Sequence, residues 1–360
     1  MVMTASEKLA KRRKRCVQKH YEGRTIVIYG AGENAQATIE IAQEMTDSIV
    51  VCDKDWERIR QVGNYSVVDP GFLAGNRSKY YVLVSILKEY QDVREFLEHC
   101  GFCDEKDYCY WSLTLYKSIF AQKYPNGYDD SWGNRIIGDL NGATVKFLGV
   151  DSTIEVQEGF KGNGTIITVY SGVNLEVGED VTVNHGRWLF FDDTKCRIGK
   201  RCNFIGSGSI TLWPSSYLDI GDFGSFQIRY FFATISNAKV IVGKDALFAR
   251  GVTVRSGDGH PLYDLLSGKR LPEKKYVILH DHVWVGQETI ILGDTEIETG
   301  CMIGAKSLVK GDFPNNVMIA GQMARIIRKN IAWSKEPLEY GVEDLPKKYR
   351  QLTIDAPEEE

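Results

Sequence analysis

Residues Val285–Pro314 read VGQETI, ILGDTE, IETGCM, IGAKSL and VKGDFP when the chain is divided into steps of six. Each step opens with an aliphatic residue, and glycine or another small or polar residue tends to follow. No ordinary helix or strand keeps this period, whereas a parallel β-helix does, because three steps complete one triangular coil. The stretch therefore predicts a parallel β-helix, with an internal ladder at Val285, Ile291, Ile297, Ile303 and Val309.

The same architecture extends upstream of this stretch in a less regular form. Aliphatic–glycine pairs recur every 21 or 22 residues, at Val177-Gly178, Ile198-Gly199, Ile220-Gly221 and Val242-Gly243. This spacing fits a coil of about 18 residues with a small bulge in each turn. Candidate ladder positions in the earliest coils are Leu148, Ile154, Ile166 and Val173.

One segment interrupts the coils. The residues from His260 to Tyr276 read HPLYDLLSGKRLPEKKY, which is polar, charged and out of register, and the ladder resumes at Leu279. Long excursions of this kind from a regular scaffold often carry function. We therefore expect a functional loop here.

The chain has 360 residues, enough for two domains of usual size. Its 35 glycines concentrate after residue 130, as coils and corners require. We predict an α/β Rossmann-like domain followed by an all-β left-handed parallel β-helix. The predicted segments are a basic helical lead (1–24), the α/β domain (25–110), a linker (111–135), the β-helix (136–328) and a tail (329–360).

Composition excludes several classes of protein. A net charge of -4 gives no reason to expect a nucleic-acid partner. No apolar run approaches the roughly 18 residues of a membrane span, and a polar, basic N-terminus argues against a secretory signal. Eight scattered cysteines are typical of a reduced cytoplasm. Cys100 and Cys103 form a single C-x-x-C, which without a second ligand pair favours free thiols over a metal site.

The basic lead from Glu7 to Tyr21 carries seven lysines and arginines. Such a run is usually a solvated helix face, and this is the interpretation we favour. It is also typical of peripheral association with an anionic membrane, such as the inner face where glycans are assembled.

The next segment alternates short apolar runs with helical patterns. TIVIYG is followed by GAGENA, by the amphipathic ATIEIAQEM and by SIVVCD, which ends at Asp53. Gly30, Gly32 and Ala35 form a G-x-G-x-x-A turn that suits a phosphate at a helix N-terminus, and an acidic residue about twenty residues later suits a ribose hydroxyl. Two interpretations stay open, a nucleotide or nucleotide-sugar pocket and a scaffold that has kept the fold without the ligand.

Several motifs of the coils resemble one protein family. DHVWVG, IGAKSLVKGDFP and AGQMARIIRK are similar to segments of the hexapeptide-repeat acyltransferases, and SGDGHPLYD resembles the S-x-D-x-H motif of members that O-acetylate bacterial surface polysaccharides. The resemblance covers about half the chain. It implies a left-handed coil, an exception to the usual crossover, a homotrimer, and acetyl-CoA bound along a groove between coils.

Transfer of an acetyl group to a sugar hydroxyl needs a base, because the hydroxyl is a weak nucleophile. His260 matches the histidine of the family motif and lies where the coil gives way to the loop. Asp258 is the candidate carboxylate that orients it, with Asp264 or a residue of a neighbouring subunit as alternatives. By resemblance, the amide of Gln287 stabilises the oxyanion.

The resemblance also implies a binding region for acetyl-CoA. Trp284 is expected to wall the pantetheine or acceptor pocket, and small residues are expected to let the CoA arm approach the backbone. Basic side chains would meet its phosphates. The expected residues are Trp284, Gly304, Ala305, Lys306, Lys310, Gly321, Arg325 and Arg328. The family ending A-G-N-P-A-K reads A-G-Q-M-A-R here, which changes the expected adenine contacts.

Other residues are weaker candidates. His185 is the second candidate base or an acceptor-binding group, and His280 and His282 are expected to be surface or corner residues. No metal is expected, because the histidine spacing differs from that of related metal-dependent hydratases. The candidate substrate-binding residues are His185, Arg255, Tyr263, Gly30, Gly32 and Asp53.

These observations predict a cytoplasmic, trimeric acetyl-CoA-dependent O-acetyltransferase that acts on a sugar of a bacterial capsule or lipopolysaccharide, or on its precursor. An N-acetyltransferase of a nucleotide-linked amino sugar is the first alternative, because relatives with a small Rossmann-like domain hold a UDP-sugar there. A non-catalytic β-helix scaffold is the second alternative.

Overall fold

The computed structural model describes residues 17–18, 20–21, 23–86, 90–103, 106–110, 117–120, 127–129, 133–271 and 275–335. Most of the basic lead and of the linker, and the tail beyond 335, therefore lie outside the described residues. The chain divides into two compact units. The first holds the described residues as far as Lys117, together with those of Tyr128–Arg135 and Phe147–Ser152, and the second holds the remainder.

Helices are few in the described part of the chain. They are α1 (Ala35–Gln43), α2 (Tyr90–His99) and a 3₁₀ turn at Pro70–Leu73, and residues 17–18 and 20–21 are also helical. No helix among the described residues has the length and apolar character needed to cross a membrane.

Strands make up the rest of the regular structure. They are β1 Thr25–Tyr29, β2 Ile49–Cys52, β3 Gln61–Val62, β4 Tyr65–Val68, β5 Tyr80–Val84, β6 Tyr108–Tyr110, β7 Lys117–Phe120, β8 Tyr128–Asp129, β9 Arg135–Ile137, β10 Thr144–Phe147, β11 Thr153–Val156, β12 Ile166–Val169, β13 Asn174–Val177, β14 Thr182–Val183, β15 Arg187–Phe190, β16 Lys195–Ile198, β17 Asn203–Phe204, β18 Ser209–Leu212, β19 Tyr217–Ile220, β20 Ser225–Phe226, β21 Phe231–Ala233, β22 Lys239–Val242, β23 Leu247–Phe248, β24 Thr253–Arg255, β25 Tyr276–Leu279, β26 Trp284–Val285, β27 Ile290–Ile297, β28 Met302–Ile303, β29 Leu308–Phe313, β30 Met318–Ala320 and β31 Arg325–Arg328.

The first unit contains a sheet in the order β3-β4-β2-β1-β5-β6. All neighbours are parallel except the β3–β4 hairpin. β1 is buried on both faces, with Ile26 and Ile28 in one apolar cluster and Val27 in the other. Such two-sided burial explains why this strand is a continuous apolar run in the sequence. The predicted strands TIVIYG and SIVVCD and the helix ATIEIAQEM are present as β1, β2 and α1. The Rossmann-like assignment is taken up below as a proposal.

The second unit is a parallel β-solenoid. One coil illustrates its path: β16 lies on face A, residues 199–202 form corner AB, β17 lies on face B, residues 205–208 form corner BC, β18 lies on face C and residues 213–216 form corner CA. Each strand pairs in parallel with the strand one coil away, as β16 does with β19, β17 with β20 and β18 with β21. This confirms the predicted parallel β-helix, and the left-handed sense rests on the family resemblance.

The predicted ladder is confirmed in the regular coils. Val285, Ile291, Ile297, Ile303 and Val309 are all fully buried. Each such side chain contributes about 1.5–3 kcal/mol when it leaves water, so the repeated ladder is the main stabilising feature of the coils. In the earliest coils Ile154 and Val173 are buried as expected.

Two ladder positions of the earliest coils were predicted one residue out of register. Leu148 and Ile166 are only half-buried, and their neighbours Phe147 and Ile167 point inward instead. Side chains alternate between the two faces of a strand, so a shift of one residue exchanges inside for outside. Two adjacent isoleucines at 166 and 167 give no basis for choosing between the two registers.

The corners place side chains in the left-handed region of backbone conformation. At corner AB the residues Asp180, Arg201, Phe223, Asp245 and His282 have φ between 55° and 62°. This conformation costs a non-glycine residue roughly 1–2 kcal/mol. Backbone hydrogen bonds between coils offset the cost, such as the bond from the His282 amide to the Lys244 carbonyl at 2.7 Å.

Candidate active site

Residues 262–271 of the excursion at corner CA form a short β-hairpin. The Leu271 amide donates to the Leu262 carbonyl at 2.9 Å, and Tyr263 and Arg270 form an antiparallel bridge. Asp264 closes the turn, because its Oδ1 accepts hydrogen bonds from the amide and the hydroxyl of Ser267, both at 2.7 Å. These bonds hold the pKa of Asp264 below its usual value of 3.8.

His260 lies between β24 and this hairpin. Its ring is exposed, as are Asp258 two residues earlier and Tyr263 within the hairpin. Asp264, one of the alternative partners of His260, is occupied in the turn. The roles of His260 as base and Asp258 as its orienting carboxylate stay predictions. Arg255 is exposed at the end of β24, shortly before His260 in the chain.

Corner BC carries the residues expected to bind the CoA arm. A Cβ atom on Gly286 would lie 2.6 Å from both the Ala305 amide nitrogen and the Ile303 carbonyl, so only glycine allows the coils to approach this closely. Gly304 follows one coil later, where an added Cβ would meet that of Ala320 at 2.8 Å. The corner is therefore lined by backbone and small side chains.

The backbone amides of corner BC differ in whether they donate a hydrogen bond within the chain. Gly286 donates to the Ile303 carbonyl at 2.8 Å and Glu288 donates to the Arg250 carbonyl at 2.9 Å. In the described part of the chain, the backbone amides of Gln287 and Ala305 donate no hydrogen bond. Free backbone donors on a rigid corner are what an oxyanion or a pantetheine carbonyl requires.

Charged groups surround the same corner. The Lys306 ammonium lies 3.7 Å from the Glu288 carboxylate. A hydrogen bond from Gln287 and the nearby charges of Lys306, Arg250 and Arg229 hold the pKa of Glu288 below its usual value of 4.5. The remaining predicted phosphate-binding side chains are exposed cations at Lys310, Arg325 and Arg328.

Within one chain, His260 and Gln287 occupy different corners. His260 follows corner CA, Gln287 is at corner BC, and a strand of face C separates the two corners in each coil. A three-residue strand such as β24 spans about 10 Å. His185 is also at corner BC but four coils before Gln287, or about 19 Å along the solenoid. The structure thus separates His185 from the other candidates.

Trp284 and His282 contact a part of the chain that sequence analysis did not connect with them. The Trp284 ring lies 5.8 Å from the Trp333 ring, and the His282 ring stacks on Trp333 at 3.9 Å. His282 is buried rather than exposed at its corner because residues after the coils cover it. Its Nδ1 lies 2.7 Å from Asp245 Oδ2 and its Nε2 lies 3.1 Å from the Trp333 carbonyl. We conclude that His282 has a structural role.

The glycine turn of the first unit is held together by Asp53. Its Oδ2 accepts the Ala31 amide at 2.7 Å and its Oδ1 accepts the Asp55 amide at 2.8 Å. Gly30 has φ of 109° and packs against Ile86, whereas Gly32 has open space around it. Asp53 therefore stabilises the turn, and its contact with a ribose stays a prediction, as do the ligand contacts of the two glycines.

One group of side chains in the described residues is spaced to hold a metal ion. The donor atoms of His280, Glu296 and Glu298 lie within 4.8 Å of one another. His280 Nε2 is 2.8 Å from Glu296 Oε1, so the ring and carboxylate already form a direct pair. The group lies where face A meets corner AB, away from corners BC and CA.

A polar groove of about 440 Å³ lies farther along face A, in the early coils. It includes Glu155, Glu176, Arg197 and Asp222, and the Arg197 guanidinium lies 2.6 Å from Asp219. None of the predicted catalytic or CoA-binding residues lines this groove.

Comparison with known proteins identifies homologues. The chain is 34% identical over 96 residues to the polysialic acid O-acetyltransferase of Escherichia coli O1:K1 / APEC, covering 27% of this chain and 31% of the relative. It is 26% identical over 204 residues to the polysialic acid O-acetyltransferase of Neisseria meningitidis, covering 52% of this chain and 88% of the relative. It is 30% identical over 105 residues to the galactoside O-acetyltransferase of Escherichia coli (strain K12), covering 29% of this chain and 51% of the relative.

These matches confirm the resemblance inferred from the motifs. The homologues are O-acetyltransferases of polysaccharides and sugars. The match spans about a third of the length of the first relative, 31%, and about half of the third, 51%. No protein-family model matches the chain.

Proposed function

We propose that the chain is an O-acetyltransferase that moves the acetyl group of acetyl-CoA to a sugar hydroxyl of a bacterial surface polysaccharide or of its precursor. The observation that carries the proposal is the free amide of Gln287 on a corner lined by small residues, in the coils that follow a loop with the S-G-D-G-H motif. The names of the homologues support the same chemistry.

In the proposed reaction His260 accepts the proton of the sugar hydroxyl as the oxygen attacks the thioester carbonyl. The Gln287 amide donates a hydrogen bond to the oxyanion that forms. When the C–S bond breaks, the CoA sulfur leaves as a thiolate and takes the proton from His260. The products are the acetylated sugar and free CoA, and the base is restored. Asp258 would orient the imidazole.

The CoA arm would lie along corner BC. Gly304, Ala305 and Gly321 leave its backbone accessible, and Lys306, Lys310, Arg325 and Arg328 offer cations for the phosphates. Trp284 is retained as a wall of the pocket on face B. His185, Arg255 and Tyr263 are retained as candidate acceptor contacts.

The separation of His260 from Gln287 within one chain supports a site shared between subunits. A trimer would let the loop of one subunit approach corner BC of the next, which brings base and oxyanion donor together. Sedimentation equilibrium measures this state, and a monomer that retains full activity would rule the shared site out.

The first unit is proposed to be Rossmann-like, supported by the parallel order β4-β2-β1-β5 and the glycine turn after β1. A cytoplasmic location, with the basic lead near the inner membrane face, is proposed because the eight cysteines are scattered, which is typical of a reduced cytoplasm. Cell fractionation tests the location, and calorimetry with UDP-sugars tests the nucleotide pocket. Binding that is lost in Gly32→Val would favour the amino-sugar alternative.

The central test is acetyl transfer by a His260→Ala variant. Purified protein is incubated with acetyl-CoA and polysialic acid, and thiol release is measured. We expect the substitution to lower the rate by about 10²- to 10⁴-fold, as loss of a general base does. His280→Ala is the matched control, since its ring is also partly exposed but lies at another corner. Wild-type transfer by the His260 variant, with the oligomer intact, would exclude His260 as the base.

A further inference from the structure

Three cationic side chains lie around one carboxylate at corner BC. The strands of face B are in register from coil to coil, which aligns Arg229, Glu288 and Lys306 along this corner. The Glu288 carboxylate lies 4.0 Å from the Arg229 guanidinium and 3.7 Å from the Lys306 ammonium. Arg250 belongs to the coil between Arg229 and Glu288. We call Arg229, Arg250 and Lys306 the corner BC cations.

Positive charge exceeds negative charge in this group. The side chains of Arg229 and Lys306 are 61% and 73% exposed, and Arg250 is exposed as well. A hydrogen bond from Gln287 and the charges of Lys306, Arg250 and Arg229 hold the pKa of Glu288 below its usual value of 4.5. Glu288 is therefore ionised at neutral pH, but its single charge offsets only one of the three cations.

Arg250 is the member of the group with the most donors to spare. Among the described residues its guanidinium forms no salt bridge, whereas Arg229 and Lys306 both approach Glu288. Its backbone amide, within the same part of the chain, donates no hydrogen bond either. A guanidinium can bind a carboxylate through two parallel hydrogen bonds, and an adjacent amide adds a third donor. Arg250 thus offers a set of donors suited to a carboxylate.

The position of Arg250 relates it to the proposed reaction centre. Phe248 pairs with Val285, so Arg250 occupies the position of Gln287 one coil earlier. The backbones of neighbouring coils are about 5 Å apart, which places the backbone of Arg229 about 10 Å from Gln287 along the solenoid. The next coil after Gln287 presents Ala305 at the same position. Gln287 therefore has arginines on one side and small residues on the other.

The two sides of Gln287 suit the two substrates of a transferase. In the proposed function the CoA arm follows the later coils, where Ala305 and Gly321 leave the backbone accessible. The earlier coils are then left for the acceptor. An acceptor whose reacting hydroxyl lies near Gln287 and whose chain continues along corner BC meets Arg250 first and Arg229 next.

We propose that Arg250 and Arg229 form an acceptor subsite that binds the carboxylate of an acidic sugar, so that the enzyme acetylates acidic glycans in preference to neutral ones. This proposal rests on the proposed function, since it names the class of acceptor for the same site. Arg250 binds the carboxylate directly. Arg229, which already approaches Glu288, adds positive charge that attracts an acidic chain.

The binding test compares wild type with Arg250→Gln, Arg250→Lys and Arg229→Gln. Isothermal titration at low ionic strength uses polysialic acid, polygalacturonate and the carboxyl-reduced form of each polymer. Arg250→Gln should weaken binding of at least one acidic polymer about tenfold, and Arg229→Gln should weaken it less. Arg250→Lys should fall between Arg250→Gln and wild type, because it keeps the charge but loses the paired hydrogen bonds. Wild type should bind the carboxyl-reduced form about tenfold more weakly than the acidic polymer.

Arg201→Gln is the matched control for the loss of an exposed arginine. Arg201 is at corner AB, its side chain is 65% exposed, and it lies 3.8 Å from Asp180. Its φ of 55° is close to the 64° of Arg229, so both substitutions meet a similar backbone conformation. Affinity for the acidic polymer should not change in this variant. In acetyl transfer, Arg250→Gln should raise KM for the acidic acceptor and leave KM for acetyl-CoA unchanged.

Three results would overturn the subsite. They are equal affinity of wild type and Arg250→Gln for every acidic polymer that binds, failure of wild type to bind either acidic polymer at millimolar concentration, and a rise in KM for acetyl-CoA alone, which would assign the arginines to the CoA phosphates. The subsite and the proposed function fail separately. Acceptor-dependent thiol release with equal KM in both proteins removes the subsite alone, whereas binding lost in Arg250→Gln without thiol release by wild type removes the enzyme alone.

Discussion

Thr295 places a hydroxyl group inside the apolar ladder of face A. The corresponding residue one coil earlier is Val277, and two coils earlier it is Val240. Thr295 is fully buried and its Oγ1 has no hydrogen-bond partner. The next coil offers Gly311, around which there is open space. A buried hydroxyl without a partner loses its hydration and gains nothing in return.

Thr295→Val should therefore stabilise the protein by about 1 kcal/mol, because a methyl group replaces the unpaired hydroxyl at nearly constant volume. Urea unfolding of the two proteins measures the difference in the free energy of unfolding. Thr289→Val is the matched control, since Thr289 is equally buried but its Oγ1 bonds to the Gly304 carbonyl at 3.1 Å. The control should be destabilised. A Thr295 variant that is no more stable than wild type would mean that the hydroxyl is satisfied in solution.

At the scale of elements, the segment after β31 is attached to corner AB by a small polar cluster. Trp333 stacks on His282 and donates from Nε1 to its carbonyl at 3.1 Å. The Lys335 ammonium lies 2.7 Å from Asp245 Oδ1 and 2.8 Å from the Phe223 carbonyl. One carboxylate, Asp245, thus joins two coils of corner AB to the C-terminal segment.

The attachment should weaken in acid. Partial burial opposes ionisation of Asp245, but hydrogen bonds from His282 and Lys335 outweigh it and hold the pKa below 3.8. A carboxylate with a lowered folded-state pKa contributes stability that is fully present above its unfolded pKa and is lost as pH falls through the folded value. Wild type should therefore exceed Asp245→Asn in Tm above about pH 4, and the gap should close below it. A gap independent of pH would contradict this role of the charge.

Local sequence patterns predicted most elements of the solenoid, because every coil repeats the same inside and outside positions. The spacing of 21 or 22 residues between Val177, Ile198, Ile220 and Val242 is the strand-to-strand register of face A. The same spacing separates Tyr170, Phe191 and Trp213, so the stacking of these three rings at corner CA could have been recognised from the sequence. The contact between His282 and Trp333 could not, since 51 residues separate them and no repeat relates them.

The candidate site was predicted less completely than the fold. Motif positions singled out His260, whose role stays a prediction, and Gly304, where an added Cβ would meet that of Ala320. The sequence does not show which corner of one subunit lies next to a given corner of another subunit. The role of Asp53 was also predicted incompletely. Its carboxylate was matched to a ribose hydroxyl, but in the structure it accepts hydrogen bonds from the backbone amides of Ala31 and Asp55.

At the scale of the whole solenoid, longer and shorter coils meet at the excursion. Strand partners are 21 or 22 residues apart before it, as between Lys195 and Tyr217. After it they are 18 or 16 apart, as between Trp284 and Met302 and between Met302 and Met318. The longer coils carry the stacked rings of Tyr170, Phe191 and Trp213 at corner CA, and the shorter coils carry the small residues of corner BC. His260 lies between them, at the boundary between the two sets of coils.

Removal of the excursion should separate folding from catalysis. Corner CA of the preceding coil closes with Ile235–Ala238, and the Ala238 and Lys275 carbonyls accept equivalent hydrogen bonds from Tyr217 and Lys239. Residues 257–274 can therefore be replaced by Ile-Ser-Asn, the sequence of Ile235–Asn237. The hairpin tip is almost fully exposed at Leu265 and Leu266, 96% and 98%, so its loss should cost little packing.

We expect this variant to keep the circular dichroism spectrum and, within a few degrees, the Tm of the wild-type protein. It should still bind CoA in calorimetry, because corner BC is intact, but its acetyl transfer should fall at least as far as that of His260→Ala. The informative comparison is between these two variants. A variant that folds and binds CoA yet transfers acetyl groups normally would place the base elsewhere. One that folds but no longer binds CoA would show that the loop belongs to the CoA groove as well.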